Sequence, residues 1–569
     1  MRWSKLIDVF RWLFEGRRGP RGQLIPRWIF LRALALIYFS AFYSLLFQIK
    51  GLIGPNGILP AQDFLADVAQ QLGLERYWYA PSLYWISSSS ATMMTVTWVG
   101  LIASAIAFLN VWPRLSFFVC FICFLSFVGA SSVFSGYQSD GMLLEAGFLA
   151  LFFAPRGIWP GWGAHDPPSR ASWFLLQWEW FRIYFESGMV KLVSGDLQWR
   201  TFTAMDEYYQ NGPLPTWIGW YVEHLPHWFH AATVGGTLGL ELGLVFMMLF
   251  PRRVRLILFF IVTPWEIGVI VTANYAFLNY LVLSLGVLLL DDKFLYRFVP
   301  ARFRPREMER IAETSTSLPE EHPLSILAMG EASVGTADIY VGNDAHGNAP
   351  DSKPREFLDR LGSSAWVVRL AAGAFMLTWI AYNTTAEMIG IPWQDSPLPT
   401  KPLIALEPFR IANQYGLFAV MTRGRYEIEF QGSNDGTNWT PYLFRNKPQA
   451  LNEAPGIYAP YQPRFDWNLW FASLGSWRDN EFVPLTEERL LLGDGDVLAL
   501  FRGDPFPQIP PRFVRAVIWQ YWFTTMEEKR QTGNWWRRNY LGLYAPELTM
   551  DADGHFAAVQ WPEELPPHD

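Results

Sequence analysis

Apolar residues along this chain gather into nine runs, 28–47, 91–109, 115–134, 142–154, 172–192, 231–250, 256–272, 275–290 and 365–389, with polar stretches between them. A helix rising about 1.5 Å per residue needs roughly 20 apolar residues to cross about 30 Å of hydrocarbon. The pattern therefore predicts a polytopic α-helical membrane protein of about nine spans. The fourth run is the weakest, because it is short and carries Glu145, and it reads equally as a re-entrant segment. Beyond residue 393 the period changes to two: Tyr426, Ile428 and Phe430 alternate with Glu427 and Glu429. Asn434, Asp435 and Gly436 then supply a tight turn toward Trp439, since all three tolerate positive φ. Frequent short strand patterns and prolines predict a C-terminal β-rich, sandwich-like soluble domain.

The charges between the runs predict an orientation. The first 27 residues hold Arg2, Lys5, Arg11, Arg17, Arg18, Arg21 and Arg27 against Asp8 and Glu15, which places the N-terminus in the cytoplasm. Alternate loops are then basic, at Arg114, at Arg156 and Arg170, at Arg252, Arg253 and Arg255, and from Lys293 to Arg306. The intervening loops are neutral or acidic, notably 135–141 and 193–230. An odd number of spans puts the C-terminal domain across the membrane, in a lumen or periplasm. The expected organisation is a helical region 1–299, a flexible cytoplasmic linker 300–363 rich in Ser, Gly, Asp and Pro, a final span within 364–392 and an exported domain 393–569. No removable signal peptide is expected at the N-terminus.

Composition agrees with a membrane protein carrying a soluble part. Hydrophobic residues make up 51% and charged residues 17%, more apolar than one soluble core requires, yet the mean hydropathy is only +0.10. A net charge of −7 gives no nucleic-acid footprint. Cys120 and Cys123 share one apolar run, so no disulfide framework is expected. The cysteine-free soluble part favours a bacterial source over the secretory pathway.

Candidate chemistry is sparse. The chain has no phosphate-binding loop, strand-placed dinucleotide fingerprint, nucleophile elbow or HExxH helix. His224, His227 and His230 drift by about 60° per step on a helix and are interrupted by Pro226, so no metal site and no cofactor are expected. The fifth run carries charges at membrane depth. Glu179, Arg182 and Glu186 recur at i, i+3, i+7 and share a face, predicting a buried ion network. Lys191 lies about 140° away with Tyr184, Ser187 and Gly188. It reads either as a lysine reaching for the interface or as a base in an apolar pocket.

Ordered fragments give the chain a resemblance. QIKGLIGPNGILPA (48–61), YQSDGMLLEAGFLA (137–150), FRIYFESGMVKL, WRTFTAMDEYYQNGPLP (199–215) and ANYAFLNYL (273–281) are similar, in order, to the lipase maturation factor family. In the soluble half YGLFAVMTRGRYEIEF, PRFDWNLWFASL (463–474), DPFPQIPPRFVRA (504–516) and GNWWRRNYLGLYAPEL (533–548) continue the likeness. The resemblance implies a membrane protein of the endoplasmic reticulum, or of the inner membrane in a bacterium, that assists folding of secreted clients such as lipases through its lumenal domain. FESGMVKL followed by GDLQW also resembles the helix of the vitamin-K-dependent carboxylase-related transmembrane family, in which a lysine at the position of Lys191 belongs to the reactive region. EIEFQGSNDGTNWT is similar to one hairpin of discoidin-like jelly rolls.

A folding factor needs a client-holding surface rather than a catalytic set, and aromatic side chains supply area at little entropy cost. Trp467, Trp470, Phe471, Trp535 and Trp536 are candidates for it, with a domain core as their other reading. Arg464 and Asp466 flank the first three and are either client contacts or a strand-end salt bridge. The expected function is a membrane folding factor; the alternatives are a membrane enzyme using Lys191 and a transporter built on the charged fifth run.

Overall fold

The computed structural model describes residues 3–300, 302, 304 and 353–563. Most of the expected linker, 305–352, lies outside the described residues. Each of the nine apolar runs overlaps a helix, here α1 (Leu24–Leu46), α2 (Ser90–Phe108), α3 (Pro113–Val128), α4 (Gln138–Phe153), α5 (Arg170–Val193), α6 (His227–Leu242), α7 (Arg252–Thr272), α8 (Leu278–Gly286) and α9 (Lys353–Gly390). Among the described residues four helical stretches are long and apolar enough to cross a membrane by length and composition: Leu24–Leu46, Ser90–Phe108, His227–Leu249 and Arg252–Thr272. The weak fourth run forms α4, which packs against α1, α3, α5 and α8 and is buried from Ser139 through Gly147. Shielded on several sides by protein, it carries a carboxylate without presenting it to lipid.

Two ends of the bundle differ in charge and in what they touch. At the basic end Arg27 donates to the carbonyls of Phe153 and Asp166, both at 2.8 Å, and Asp292 accepts the first amides of α1, Leu24 and Ile25, at 3.0 and 2.7 Å. At the other end the poorly basic loops meet the C-terminal domain. Gln48 donates to Gln462 O (2.9 Å), Asn211 to Thr422 O (2.9 Å) and Asn274 to Gly456 O (2.9 Å). One hydrophobic cluster runs without a break from Phe30 and Leu34 of α1 to Ile428, Phe430 and Phe465 of the C-terminal domain.

That domain is an antiparallel sheet of six strands: β1 (Arg425–Ser433), β2 (Thr440–Pro441), β3 (Phe513–Phe523), β4 (Trp536–Leu543), β5 (Glu547–Met550) and β6 (Phe556–Gln560). The order is β2-β1-β3-β5-β6, with β4 beside β5 on the same flank of β3. Asp435 closes the turn after β1 by accepting the amides of Asn438 (2.8 Å) and Thr437 (2.9 Å), and Gly436 sits at φ 71°. These amide hydrogen bonds, led by that of Asn438, hold the exposed Asp435 carboxyl well below the usual carboxylate range.

The expected two-sheet sandwich is corrected: the described strands form one sheet, and helices occupy the place of a second. α10 (Arg464–Ser473) packs on β1 and α11 (Phe482–Leu491) on β3. Alternation along β1 explains this. Phe430 meets Phe465 of α10 and Phe444 at ring distances of 6.3 Å. Glu427 and Glu429, on the opposite face, are equally buried: Glu427 pairs with Arg425 and with Lys447 (2.8 Å), and Glu429 with Arg538 (3.2 Å). With both faces of β1 covered, an apolar/charged alternation here marks two buried sides of different chemistry.

Candidate functional site

The structure draws the charges of α5 into two buried clusters. Glu179, Arg182, Glu186 and Lys191 are all 2% exposed or less. Helical geometry separates them by face, and each cluster takes its partners from different elements.

In the first cluster Arg182 is the centre. Its Nη2 donates to Glu145 of α4, its Nη1 donates to the carbonyl of Asn413 at 2.5 Å, and Glu186 lies 3.8 Å away. The segment leading from α9 into the sheet closes this network. Glu145 Oε2 accepts the Asn413 amide (3.1 Å), the Asn413 side chain (3.1 Å) and the Tyr415 hydroxyl (2.9 Å), while Glu186 Oε2 accepts the Tyr415 amide (2.6 Å). Gly141 on α4 permits the approach, since a Cβ there would lie 2.8 Å from the Asn413 side-chain oxygen. Neither oxygen of Glu179 has a hydrogen-bond partner among the described residues. The arrangement anchors 413–415 against α4 and α5, because stripping water from one arginine and two carboxylates is tolerable only when each finds a fixed partner.

In the second cluster Lys191 Nζ donates to both oxygens of Glu241 on α6 at 2.9 Å and stands 5.1 Å from the Trp199 ring centre. Tyr184, two turns earlier, donates to Glu266 of α7, whose other oxygen accepts Asn279 of α8 at 2.8 Å. An ammonium held on both oxygens of a buried carboxylate is a cross-brace between α5 and α6. That contact occupies the Lys191 nitrogen from the side of Glu241, whereas a general base has to present its nitrogen to a substrate.

The three histidines are dispersed to separate partners: His224 bonds the carbonyls of Trp220 (2.7 Å) and Thr524 (3.0 Å), His227 bonds Asp206 (2.9 Å), and His230 bonds Leu225 O (3.0 Å).

The C-terminal candidates fall mostly inside. DWNLWF is helical, in α10, and Arg464 and Asp466, about 200° apart on it, do not pair. Arg464 donates to both oxygens of Asp140 on α4 (2.6 and 2.8 Å) and to Phe134 O (2.8 Å). Asp466 accepts the amide and the side chain of Asn446 at 3.1 and 2.8 Å. Burial pushes the Asp466 carboxyl up to about 6 against the pull of those hydrogen bonds. Trp467 lies against Tyr137 at 5.4 Å, Trp470 donates to Asn211 O at 3.0 Å, and Trp536 packs on Phe523 at 4.6 Å. Five of the surface candidates, Arg464, Asp466, Trp467, Trp470 and Trp536, are therefore corrected to buried positions that hold the sheet domain together or seat it on the bundle. Phe471 is 48% exposed, and Trp535 is half-buried against Trp220 with Lys529 Nζ 3.4 Å above its ring.

Several partners escaped the sequence. Glu145, Glu241 and Glu266 each stand alone in an apolar run, and that isolation was the available signal, because a lone carboxylate at membrane depth demands a donor. Asp140, Asn413, Tyr415 and Arg425, which reaches the carbonyls of Gln210 (2.8 Å) and Pro213 (3.1 Å), carried no local signal.

The sequence profile of the lipase maturation factor transmembrane domain matches residues 25–297, and that of the lipase maturation factor C-terminal domain matches 411–546. Lipase maturation factor 2 of Gallus gallus is 31% identical, over 95% of this chain and 84% of the relative. Lipase maturation factor 2 of Homo sapiens is 29% identical over 93% and 83%, and lipase maturation factor 1 of Bos taurus 28% over 95% and 92%. No solved structure matches the chain. Two profiles divided at the same junction that the Arg182 and Arg464 contacts bridge, together with relatives aligned nearly end to end, establish that the chain belongs to the lipase maturation factor family.

Proposed function

We propose that this integral membrane protein is a non-catalytic maturation factor that holds secreted clients, lipases among them, while they fold at the membrane surface. One observation carries the reading: the sheet domain is locked to the poorly basic end of the bundle by buried anchors at Arg182, Arg425 and Arg464. A fixed platform retains a client at one distance from the bilayer without a reacting centre. The Lys191–Glu241 brace weighs against the carboxylase-like alternative.

The same reading holds nine spans, a cytoplasmic N-terminus and a sheet domain in the lumen of the endoplasmic reticulum, or in the periplasm of a bacterium. The division into 1–299, a cytoplasmic linker 300–363, a last span within 364–392 and an exported 393–569 belongs to it. What supports it is the segregation of basic loops to the end away from the sheet domain. Cysteine labelling at engineered positions in 310–350 and 430–440 should be protected on opposite sides of the membrane, and labelling of both from one side would reject it.

Phe471 and Trp535 are the client contacts in this scheme. Phe471→Ser, at an exposed position, should leave abundance unchanged, since surface substitutions stay within about 0.5 kcal/mol. The secreted activity of a co-expressed client lipase should fall several-fold at equal client synthesis. Unchanged client activity with both Phe471→Ser and Trp535→Ser would remove this surface from the proposal.

A further inference from the structure

The helix Trp3–Phe14 ahead of α1 is amphipathic and only partly covered. Asp8, Arg11 and Glu15, just past its end, recur at i, i+3, i+7 and form a polar face, and the rest of the helix is almost wholly apolar. Its second half is fastened to the bundle. Arg170 at the start of α5 stacks 4.5 Å over Trp12, Arg170 Nε donates to Arg18 O at 3.0 Å, and Phe14 packs on the main core. Its first half leaves Leu6, Ile7 and Phe10 exposed at 45, 56 and 37%, within one arc of about 100°. The polar face is closed on itself: Glu15 pairs with Arg11 at 3.0 Å and Asp8 lies 4.0 Å from Arg18. Residues 1–27 hold seven basic side chains against those two acids, and Lys5, Arg17, Arg18 and Arg21 are exposed.

We infer that this helix lies in the plane of the membrane, with Leu6, Ile7 and Phe10 inserted below the headgroups of an anionic lipid leaflet and the surrounding lysine and arginines on those headgroups. Three observations choose lipid as the occupant. The helix is fastened beside the start of α5 by Arg170, so with α5 as a span the arc sits at the depth where acyl chains meet water. Its charge is complementary to anionic headgroups. The exposed part of the apolar surface, the arc of about 100° at Leu6, Ile7 and Phe10, matches shallow insertion rather than a knobs-into-holes seam with a second helix. The placement rests on α1 and α5 being spans, as proposed above.

The test uses the full chain with the buried Cys120 and Cys123 replaced by Ala, reconstituted in vesicles of phosphatidylcholine with phosphatidylglycerol. An environment-sensitive fluorophore is placed in turn on Ile7→Cys, Asp8→Cys and Ile261→Cys, the last on lipid-facing α7. The Ile7 label should be quenched several-fold more strongly by a nitroxide on the acyl chain than by aqueous iodide, and the Asp8 label the reverse. In phosphatidylcholine alone, or with Arg17→Gln and Arg21→Gln, lipid quenching at Ile7 should fall several-fold. Iodide quenching at Ile7 equal to that at Asp8 overturns the proposal, and quenching indifferent to anionic lipid overturns the assignment of the leaflet. Shielding of Ile7 that varies with protein-to-lipid ratio makes a second copy the occupant and also overturns it. Failure of lipid quenching at Ile261 sinks the span reading itself, and is distinguished from the other failures by that label.

Discussion

Arg464 in the C-terminal domain and Asp140 on α4, 324 residues apart, share two hydrogen bonds of 2.6 and 2.8 Å with both side chains at most 1% exposed. Arg464→Ala should therefore strand a carboxylate in the interior, a loss of about 3–5 kcal/mol. Arg464→Met combined with Asp140→Leu should lose much less, because neither charge remains. Thermal unfolding in detergent micelles checks this. Additive single effects, each below about 0.5 kcal/mol, would show that the pair does not hold the domain.

The Arg182 cluster predicts an order of rescue. Arg182→Ala should lower folded yield, and adding Glu145→Gln should restore more of it than adding Glu186→Gln, since Glu145 is bonded to the guanidinium and Glu186 is 3.8 Å away. The same mutant should expose 411–417 to limited proteolysis, because Asn413 and Tyr415 lose their anchor. A stronger rescue by Glu186→Gln would reverse the assigned partners.

Asp466 predicts a pH dependence. Its carboxyl ordinarily titrates near 3.8 and is raised to about 6 by burial, so the unfolded chain releases this proton first. Its contribution to stability is complete below about pH 4 and is lost as pH rises toward 6. A gap of about two pKa units corresponds to about 3 kcal/mol. Asp466→Asn should flatten the stability profile between about pH 4 and 6 while keeping an acceptor for Asn446. A steeper profile in the mutant would contradict the direction.

Lys191 separates brace from base. If the Lys191–Glu241 pair is structural, Lys191→Met should lower abundance by leaving Glu241 uncompensated, and Lys191→Met with Glu241→Gln should restore both abundance and client maturation. Pulse-chase abundance and secreted client activity, measured together, decide the matter. A double mutant of normal abundance with no client activity would revive the enzymatic reading, since the fold would be intact and only the lysine's chemistry lost.

Hydropathy alone located the helices α1 to α9, because the apolar content of a segment is a local sum over its own residues, while the helices Ala61–Leu72 and Trp217–Glu223 lie outside every apolar run. Loop charge assigned the bundle two ends for the same reason. The i, i+3, i+7 spacing placed Glu179, Arg182 and Glu186 on one face of α5, since helix geometry is local as well. Partners were beyond local reach. Which of two glutamates Arg182 bonds was decided by α4 packing beside it, 37 residues upstream, and by Asn413 arriving from 231 residues downstream. The DWNLWF motif is ambiguous between strand and helix at this length, and the groove between β1 and the α3–α4 loop resolved it in favour of a helix that sends Arg464 to Asp140. That choice turned candidate surface tryptophans into buried anchors. Burial of a particular aromatic depends on what the rest of the chain brings against it, so the sequence determined where the apolar helices lie and which loops are basic, and the tertiary structure alone decided which charges pair and which aromatics remain outside.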